Sequence, residues 1–375
     1  MNKLKLMTIV GTRPEIIRLS EIIKKLEINS NHILVHTGQN YDYELNQVFF
    51  DELGLNPPDY VLETAGGSSS EIIGKVIIES SFIIEKEKPD AILILGDTNS
   101  SLAAIPAKRN KVPIFHMEAG NRCFDQIVPE EINRKIVDHI SDINLCYSQI
   151  SKSHLISEGI KHDRVIVTGS PLNEVIQANI EKIESSKILQ ELSIQKGKYF
   201  VVSSHREENV DNDEKLRNLI ISLNNLAQEF KLPIIFSTHP RTKNKLKNLD
   251  LEIHSLIIFN KPFGFIDYIH LQKNSKCVIS DSGTITEEAS ILNLPAINIR
   301  DCHERPEGFE EGVLIMTGFN SDRIIQSINI LCQESDSKER KIKIVSDYEP
   351  DNVSEKILRI IYSYTDFINR VVWKK

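Results

Sequence analysis

The chain has 375 residues, 40% of them hydrophobic and 26% charged, which is enough for about two globular domains. The formal net charge of −8, with no long basic run, argues against nucleic acid as a partner. No apolar run approaches the roughly 18 residues of a membrane span, and the N-terminal apolar run is too short for a signal peptide. The five cysteines are scattered without a CxxC pair, which argues against a disulfide framework and predicts a reducing, cytoplasmic location.

Short apolar runs alternate with helical patterns along the chain, as is typical of βαβ units. The predicted strands of the first half are Leu6–Val10, Ile33–His36, Ala91–Leu95, Val112–His116, Ile143–Tyr147 and Val165–Thr168. Those of the second half are Tyr199–Ser203, Pro233–Ser237, Ser255–Phe259, Cys277–Ser280, Ala296–Ile299 and Val313–Met316. Runs that are apolar at consecutive positions indicate parallel strands buried on both faces. Six strands in each half predict an α/β protein with two Rossmann-like, doubly wound parallel-sheet domains.

The boundary between the two domains is predicted near a helix over Asn173–Leu192 and a surface turn at residues 195–198. We therefore expect an N-terminal domain over residues 1–172 and a C-terminal domain over 173–350. Residues 351–375 hold a final helix, predicted over Val353–Tyr364, that can pack back on the N-terminal domain. The segment Gly66–Ser70 is rich in glycine and serine, which makes it a candidate for a flexible lid.

Polar residues follow seven of the predicted strands. These strand ends are residues 11–15, 96–100, 116–120, 204–208, 239–241, 281–284 and 300–301. Ligands of open parallel sheets bind at the carboxyl ends of the strands. The pattern therefore predicts ligand-binding crevices in both halves, facing each other across a cleft.

The first strand end reads Gly-Thr-Arg-Pro-Glu. Thr12 and Glu15 have the spacing of a capping box, and Pro14 suits a first helical turn. Arg13 lies where the free N–H groups and the positive end of a helix already attract an anion. We therefore expect Arg13 to bind a phosphate or a carboxylate, and the other residues to start the helix.

The segment Asp281–Glu288 is the counterpart in the second half. Thr284 and Glu287 have the spacing of a second capping box. Gly283 would allow a ligand close to the backbone, and outward N–H groups of residues 282–284 would bind a diphosphate. Glu288, one residue further along the first helical turn, could hold ribose hydroxyls.

Nucleotide motifs of the GxGxxG and P-loop types are missing, and the 11 histidines form no HxH or HExxH pattern. We therefore expect neither a nicotinamide cofactor nor a metal. Carboxylates at the strand ends are better candidates for chemistry, namely Asp97, Glu118 and the pair Glu130 and Glu131. Carboxylates that share a crevice can divide the roles of acid and base. Glu131 is expected to be structural, and Arg122 and Arg134 to be salt-bridge partners.

Together these motifs resemble the non-hydrolysing UDP-N-acetylglucosamine 2-epimerase family. The resemblance rests on GTRPEII (11–17), HTGQNYDYELNQVFFDELGL (36–55), GDTNS (96–100), HMEAGNRCFDQIVPEEINR (116–134), TGSP (168–171), SSHREEN (203–209), HP (239–240), SDSGTITEEA (280–289) and RDCHERPE (300–307). It implies an isomerase without cofactor or metal, two Rossmann-like domains in the GT-B arrangement, an active site in the cleft between them and a homodimer. It also implies a route in which UDP is eliminated to give a glycal and is then re-added.

The resemblance also implies roles for single residues. Asp97, Glu118 and Glu130 match the catalytic carboxylates of the family, and His205 matches a histidine beside the diphosphate. The expected UDP and substrate contacts are Arg13, Arg18, His205, Arg206, Phe263, Tyr268, Ser282, Gly283, Thr284, Glu288 and Arg305. The Tyr268 ring is expected against uracil, where it could stack.

Three features depart from the commonest family pattern. Arg18 stands where lysine is frequent, Thr284 replaces a glycine, and residues 121–126 differ from the usual loop. They look more like the branch that forms UDP-N-acetyl-L-fucosamine from UDP-2-acetamido-2,6-dideoxy-L-talose for capsule or O-antigen. A UDP-N-acetylglucosamine 2-epimerase is the alternative within the family. A hydrolysing epimerase, a GT-B glycosyltransferase and a non-catalytic UDP-sugar-binding protein are further alternatives.

Overall fold

A computed structural model describes residues 3–38, 43–204, 212–238, 245–246, 251–335, 340 and 342–375. The chain divides into two compact units. The first contains Met1–Ala178 and Ser346–Lys375, and the second contains Asn179–Val345. The predicted domain boundary, between residues 172 and 173, falls inside the helix Leu172–Ala178. This helix ends where the first segment of the first unit ends. None of the helices in the described ranges is both long and apolar enough to cross a membrane.

The first unit is built on a parallel sheet of seven strands in the described part of the chain, in the order β3-β2-β1-β4-β5-β6-β7. The strands are β1 (Lys5–Val10), β2 (Asn31–His36), β3 (Tyr60–Val61), β4 (Ala91–Leu95), β5 (Ile114–Met117), β6 (Ile143–Cys146) and β7 (Val165–Val167). The helices are α1 (Arg13–Asn29), α2 (Tyr43–Leu53), α3 (Ser69–Glu87), α4 (Ala104–Arg109), α5 (Pro129–Ile140), α6 (Gln149–Ser157) and α7 (Leu172–Ala178). The strand order reverses between β1 and β4, which is where doubly wound sheets bind ligands.

The second unit repeats the plan with six parallel strands among its described residues, in the order β10-β9-β8-β11-β12-β13. The strands are β8 (Phe200–Ser203), β9 (Ile234–Ser237), β10 (Ile257–Asn260), β11 (Cys277–Ser280), β12 (Ala296–Asn298) and β13 (Ile315–Met316). The helices are α8 (Ile180–Glu184), α9 (Ile188–Glu191), α10 (Asp213–Phe230), α11 (Phe265–Asn274), α12 (Ile285–Leu292), α13 (Pro306–Glu310) and α14 (Ser321–Ser335). The order reverses between β8 and β11. The prediction of two doubly wound α/β domains is confirmed.

Each sheet lies in its own hydrophobic core. Met7, Ile9 and Ile94 of the first sheet pack among apolar helix residues, and all three side chains are almost fully buried. Phe200 and Ile279 of the second sheet are likewise buried in the hydrophobic core of the second unit. Burial of such a side chain contributes about 1.5–3 kcal/mol, so the strands are fixed and their carboxyl ends become rigid platforms.

One local prediction is wrong, and a second falls partly on a helix. The helix predicted over residues 173–192 is three short helices, α7, α8 and α9, because Asn179 and Lys187 leave the helical backbone conformation. The predicted lid at residues 66–70 is partly the start of α3. Its N-cap is Ser68, whose side chain accepts the Glu71 N–H.

The final helix α15 (Val353–Ile368) begins at the predicted residue and runs four residues past the predicted end, Tyr364. It belongs to the first unit, where it packs against α1. The Tyr362 hydroxyl donates to the Asn29 carbonyl at 2.7 Å, and Lys25 Nζ lies 3.2 Å from a Glu355 carboxylate oxygen. The end of the chain thus supports the helix that follows β1.

Candidate active site

The turn after β1 places a cation at the start of α1. Thr12 is the N-cap in an extended conformation, and Pro14 lies in the first turn. Arg13 is half-buried, and its guanidinium carbon lies 5.8 Å from the centre of the Phe49 ring, within range of a cation–π contact. The arginine is thereby held at the carboxyl end of β1, beside the helix N-terminus that favours an anion.

Glu15 ties this turn to the end of β4. Its carboxylate accepts the Gly11 N–H at 2.6 Å and the Thr12 N–H at 3.3 Å, so the predicted capping box is present. The Thr98 hydroxyl donates to the other carboxylate oxygen. Burial raises the pKa of Glu15 to about 7, although these hydrogen bonds oppose the shift. Glu15 therefore does more than cap a helix, because it also anchors the loop that carries Asp97.

Asp97 follows β4 and is held by an arginine of α5. Arg134 donates to Asp97 Oδ2 from Nε at 2.8 Å and also from Nη2. The same arginine donates from Nη1 to Glu131 at 2.6 Å. Asn133 donates to the Asp97 carbonyl at 3.0 Å. The expectation that Arg134 is a salt-bridge partner of these carboxylates is confirmed.

Glu118 follows β5, the neighbour of β4 in the sheet. Its Oε2 lies 2.5 Å from Arg18 Nη1, and Arg18 is 4% exposed, with its guanidinium 5.6 Å from the centre of the Tyr147 ring. A Cβ added to Gly96 would lie 3.8 Å from the same Glu118 oxygen, so the ends of β4 and β5 are in contact. Glu118 and Asp97 therefore share one edge of the sheet, each beside a buried arginine.

The α5 carboxylates divide into one partly exposed and one buried group. Glu130 lies in the first turn and is partly exposed. Glu131 is buried and accepts the Cys123 N–H at 3.2 Å in addition to pairing with Arg134. The expectation that Arg122 pairs with these carboxylates is wrong. Arg122 instead pairs with Asp138 of α5 and Glu158 at the end of α6, because the loop after β5 turns its side chain between these helices.

In the second unit, the turn after β11 is built from hydroxyl groups. Ser282 Oγ and Thr284 Oγ1 are 2.9 Å apart, and Asp281 accepts from the Ser204 hydroxyl at 2.9 Å. The prediction that the N–H groups of residues 282–284 all point outward is wrong. The Ser282 N–H donates to Ser280 Oγ at 3.0 Å and the Thr284 N–H to Ser282 Oγ at 3.3 Å, since these hydroxyls fold back on the turn.

The second predicted capping box is not formed. Thr284 is the N-cap of α12, but its side chain makes no capping hydrogen bond. Glu287, fully buried, instead accepts from Arg305 Nε at 2.7 Å, and Arg305 is 3% exposed. The Glu287 carboxylate is therefore turned toward the segment before α13 rather than toward the start of its own helix.

Glu288 lies in a second polar cluster of this unit. Its Oε2 accepts from Gln272 Nε2 at 2.6 Å. The Tyr268 hydroxyl is hydrogen-bonded to Ser203 and Gln272, and burial together with the Glu288 carboxylate raises the pKa of Tyr268. The Tyr268 side chain thus links α11 to the end of β8, while Phe263 lies partly exposed just before α11. Gln272 is a member that the sequence did not reveal, because a buried amide in the last turn of a helix has no spacing signature.

Several expected features remain outside this geometry. His205 and Arg206 lie outside the described residues, as do residues 239–240 of the sequence motif. Among the residues that the structure describes, no three His, Cys, Asp or Glu side chains form a potential metal site. The sequence also gave no reason to single out Asp138 or Glu158, whose contacts with the loop after β5 depend on tertiary packing.

Comparison with known proteins agrees with this architecture. A family model described as UDP-N-acetylglucosamine 2-epimerase matches residues 24–362. The structure of a UDP-N-acetylglucosamine 2-epimerase from Rickettsia bellii is 52% identical, covers 100% of both chains and has a TM-score of 0.93. That of the Methanocaldococcus jannaschii UDP-GlcNAc 2-epimerase in complex with UDP-GlcNAc and UDP is 37% identical, with a TM-score of 0.89, covering 96% of this chain and 100% of that one.

A third relative has a different name. The UDP-2,3-diacetamido-2,3-dideoxy-D-glucuronate 2-epimerase of Pseudomonas aeruginosa is 33% identical, and the match covers 86% of this chain and 91% of that protein. All three are named as 2-epimerases of UDP-sugars, although the sugars differ. With the family model covering most of its length, the chain belongs to the UDP-N-acetylglucosamine 2-epimerase family, and the predictions of this family and of an isomerase are confirmed.

Proposed function

We propose that the chain inverts C2 of a UDP-linked N-acetylamino sugar by eliminating UDP across C1–C2 and re-adding it to the resulting glycal. The observation that carries this proposal is the arrangement at the ends of β4 and β5. Two carboxylates, Asp97 and Glu118, lie at one edge of the sheet and are each held by a buried arginine. Groups fixed in this way can exchange protons with C2 from different sides of a sugar ring.

The chemistry sets the order of events. The proton on C2 is weakly acidic, so the C1–O bond to UDP must break before or together with its removal. The electron pair of the C2–H bond forms the C1–C2 double bond, and UDP leaves with the C1–O pair. Protonation of C2 on the opposite face and return of UDP to C1 complete the inversion. Asp97, Glu118 and Glu130 are the proposed acid and base groups.

The leaving diphosphate needs electrostatic support. Arg13 is a suitable cation, because it lies half-buried at the N-terminus of α1. In the second unit, the Ser282–Thr284 turn opens α12, where the helix dipole favours an anion. We assign UDP to this turn, with Glu288, Arg305, Tyr268 and Phe263 as further contacts. The assignments of His205 and Arg206 rest on the sequence resemblance.

Two sugars are candidates for the natural substrate. The sequence departures, among them Arg18, favour UDP-2-acetamido-2,6-dideoxy-L-talose, with UDP-N-acetyl-L-fucosamine as the product. The names of the relatives favour UDP-N-acetylglucosamine, with UDP-N-acetylmannosamine as the product. Arg18 bears on this choice because its planar guanidinium, unlike an ammonium, fixes the direction of its contact with Glu118. We propose the L-talose derivative as the preferred substrate.

One experiment tests both the reaction and the substrate. Each UDP-sugar is incubated with the protein in D₂O, and the products are followed by NMR. We expect a C2 epimer with deuterium at C2, and positional exchange of the bridging oxygen of UDP. Product without solvent deuterium would contradict the mechanism. Free sugar plus UDP would indicate a hydrolysing enzyme, and turnover only with an added acceptor would indicate a glycosyltransferase. The substrate with the higher kcat/KM identifies the branch.

A further inference from the structure

The backbone of Glu118 has an uncommon conformation. Its φ is +63°, in the left-handed region that residues with a Cβ rarely adopt. A residue in this region costs about 1–3 kcal/mol and persists only where its surroundings enforce it. The strain lies at the proposed acid or base, so the groups that enforce it also decide where the Glu118 carboxylate points.

Asp138, on α5, holds the chain on both sides of Glu118. Its carboxylate oxygens each lie 3.3 Å from the Gly120 nitrogen, whose N–H they accept. Arg122 Nη1 donates to Oδ2 at 2.7 Å, and His116 Nδ1 lies 3.0 Å from Oδ1. One buried carboxylate thus contacts the residues two before, two after and four after Glu118.

Further contacts hold this loop from α6. Arg122 donates from Nε and Nη2 to the two oxygens of Glu158, at 2.8 and 2.6 Å. His154 Nδ1 lies 3.0 Å from the Gly120 carbonyl oxygen. A Cβ on Gly120 would lie 2.3 Å from the Ser151 carbonyl oxygen, so the loop passes directly against α6. The loop is therefore fixed between two helices.

The network also reaches the other catalytic loop. His116 is fully buried, and its Nε2 lies 2.8 Å from the carbonyl oxygen of Gly96, the residue before Asp97. A displacement of Asp138 would therefore shift the loops that follow both β4 and β5. No step of the proposed mechanism uses Asp138 directly, and its side chain is wholly enclosed.

We infer that Asp138 is a positioning residue for catalysis, which sets the left-handed backbone of Glu118 and so the direction of its carboxylate. The inference rests on the proposed function, because it assumes that Glu118 exchanges protons with the substrate. In Asp138→Asn, the amide N–H₂ would lie against the Gly120 N–H in either orientation, because both Asp138 oxygens are 3.3 Å from that nitrogen, and the charge that holds Arg122 would be lost. The loop would relax from this clash, and a displacement of about 1 Å at a reacting group can cost about 100-fold in rate.

The control for this variant is Asp142→Asn. Asp142 is also a buried carboxylate near α5, but it accepts from the Ile114 N–H at 3.0 Å and Lys108 Nζ at 2.6 Å, at the opposite end of β5. Both variants neutralise a buried carboxylate that belongs to an ion pair, although Lys108 of the control pair is 30% exposed, so both test general stability. Only Asp138→Asn alters the Glu118 loop.

The measurement is kcat and KM for whichever UDP-sugar the wild-type protein epimerises, with UDP affinity measured by calorimetry. We expect Asp138→Asn to lower kcat by about 10- to 100-fold relative to Asp142→Asn, with KM and UDP affinity unchanged. Equal kcat in the two variants would overturn the inference. A wild-type protein without epimerase activity would instead contradict the proposed function, so the two failures are distinguishable.

A double-mutant cycle separates positioning from general destabilisation. If Asp138 acts through Glu118, then Asp138→Asn lowers kcat much less in a Glu118→Gln background than in the wild type. Full additivity of the two effects would overturn the inference. Should Asp138→Asn fail to fold, Glu158→Gln tests the same network through Arg122. A kcat below that of Asp142→Asn at unchanged KM would support it, and an equal kcat would overturn it.

Discussion

The two units share a strand order but place different chemistry at the strand ends. In the first unit, carboxylates form ion pairs with arginines, as in Asp97–Arg134 and Glu118–Arg18. In the second, the turn after β11 is made of hydroxyls and a helix start, and Arg305 pairs with Glu287 beside it. The same architecture therefore supports two kinds of site, because function depends on the side chains at the strand ends rather than on the fold.

This difference suggests a division of labour. Carboxylates fixed by arginines suit proton transfer at carbon, where geometry and charge must be controlled. A turn of hydroxyls at a helix N-terminus suits a diphosphate, which needs hydrogen-bond donors and a positive potential. Substitutions in the first unit should therefore change turnover, and those in the second should change nucleotide affinity or the stability of that unit.

The largest effects are expected at the first unit's carboxylates. Asp97→Asn and Glu118→Gln keep the shape of each side chain but remove its ability to exchange a proton. We expect kcat to fall by about 10²–10⁴-fold in each variant. UDP affinity, measured by calorimetry, should stay within a few-fold of wild type. A parallel loss of UDP affinity would show that these carboxylates serve binding, and the division of labour would fail.

The next effect concerns the buried ion pair of the second unit. Arg305→Met would leave the fully buried Glu287 without this arginine, and loss of one partner of a buried pair costs about 3–5 kcal/mol. We expect a loss of that size in the free energy of unfolding, measured by urea denaturation. Arg359→Met is the control, because its pair with Glu355 is exposed and should contribute far less than the buried pair. Similar losses in both variants would contradict the structural role assigned to the Arg305–Glu287 pair.

Much of the fold could be predicted from the sequence because its strands are buried on both faces. The run Ala91–Leu95 is apolar throughout and Cys277–Ser280 is apolar up to its last residue, and the two runs match β4 and β11 at both ends. The two-residue β3 was not predicted, since the apolar run that contains Tyr60 and Val61 is only three residues long. The breaks in the helix predicted over residues 173–192 were missed, because the apolar pattern does not show that the backbone turns at Asn179 and Lys187.

The candidate site was less predictable because its partners are distant in sequence. The positions of Asp97 and Glu118 followed from the rule that ligands bind at the carboxyl ends of parallel strands. Their neighbours did not follow from any local pattern: Arg18 contacts a residue 100 positions away, and Arg134 one 37 positions away. The capping-box spacing of Thr284 and Glu287 also gave a wrong prediction, because Glu287 pairs with Arg305 instead of capping its own helix.

A smaller, pH-dependent effect is expected at Glu15. Its pKa is raised by burial from 4.5 to about 7, so between these values the folded state binds the proton more tightly than the unfolded state. Stability from this group is therefore complete below pH 4.5 and is lost as the pH rises through about 7. Across this pH range the free energy of unfolding should fall by about 3 kcal/mol because of Glu15.

The measurement compares wild type with Glu15→Gln by urea denaturation at pH 5, 6, 7 and 8. The stability of wild type relative to Glu15→Gln should fall as the pH rises, because the amide does not titrate. Glu85→Gln, at an exposed position of α3, gives the baseline for the comparison. A constant difference across the series would mean that Glu15 does not titrate in this range, and its role would then be limited to hydrogen bonding.

The smallest effect is expected in the hydroxyl turn of the second unit. Ser282 Oγ is paired with Thr284 Oγ1 and accepts the Thr284 N–H, so Ser282→Ala removes the group that shapes the start of α12. A hydrogen bond contributes about 0.5–1.5 kcal/mol, which corresponds to a loss of about 2- to 13-fold in UDP affinity. Turnover at saturating substrate should fall less than UDP affinity, because the turn holds the nucleotide before, during and after cleavage of the C1–O bond. Ser222→Ala is the matched control, since its buried hydroxyl donates to the Phe319 carbonyl elsewhere in the same unit. A fall in kcat at unchanged affinity would place Ser282 in the chemical step, and the second unit would then share in the chemistry that we assign to the first.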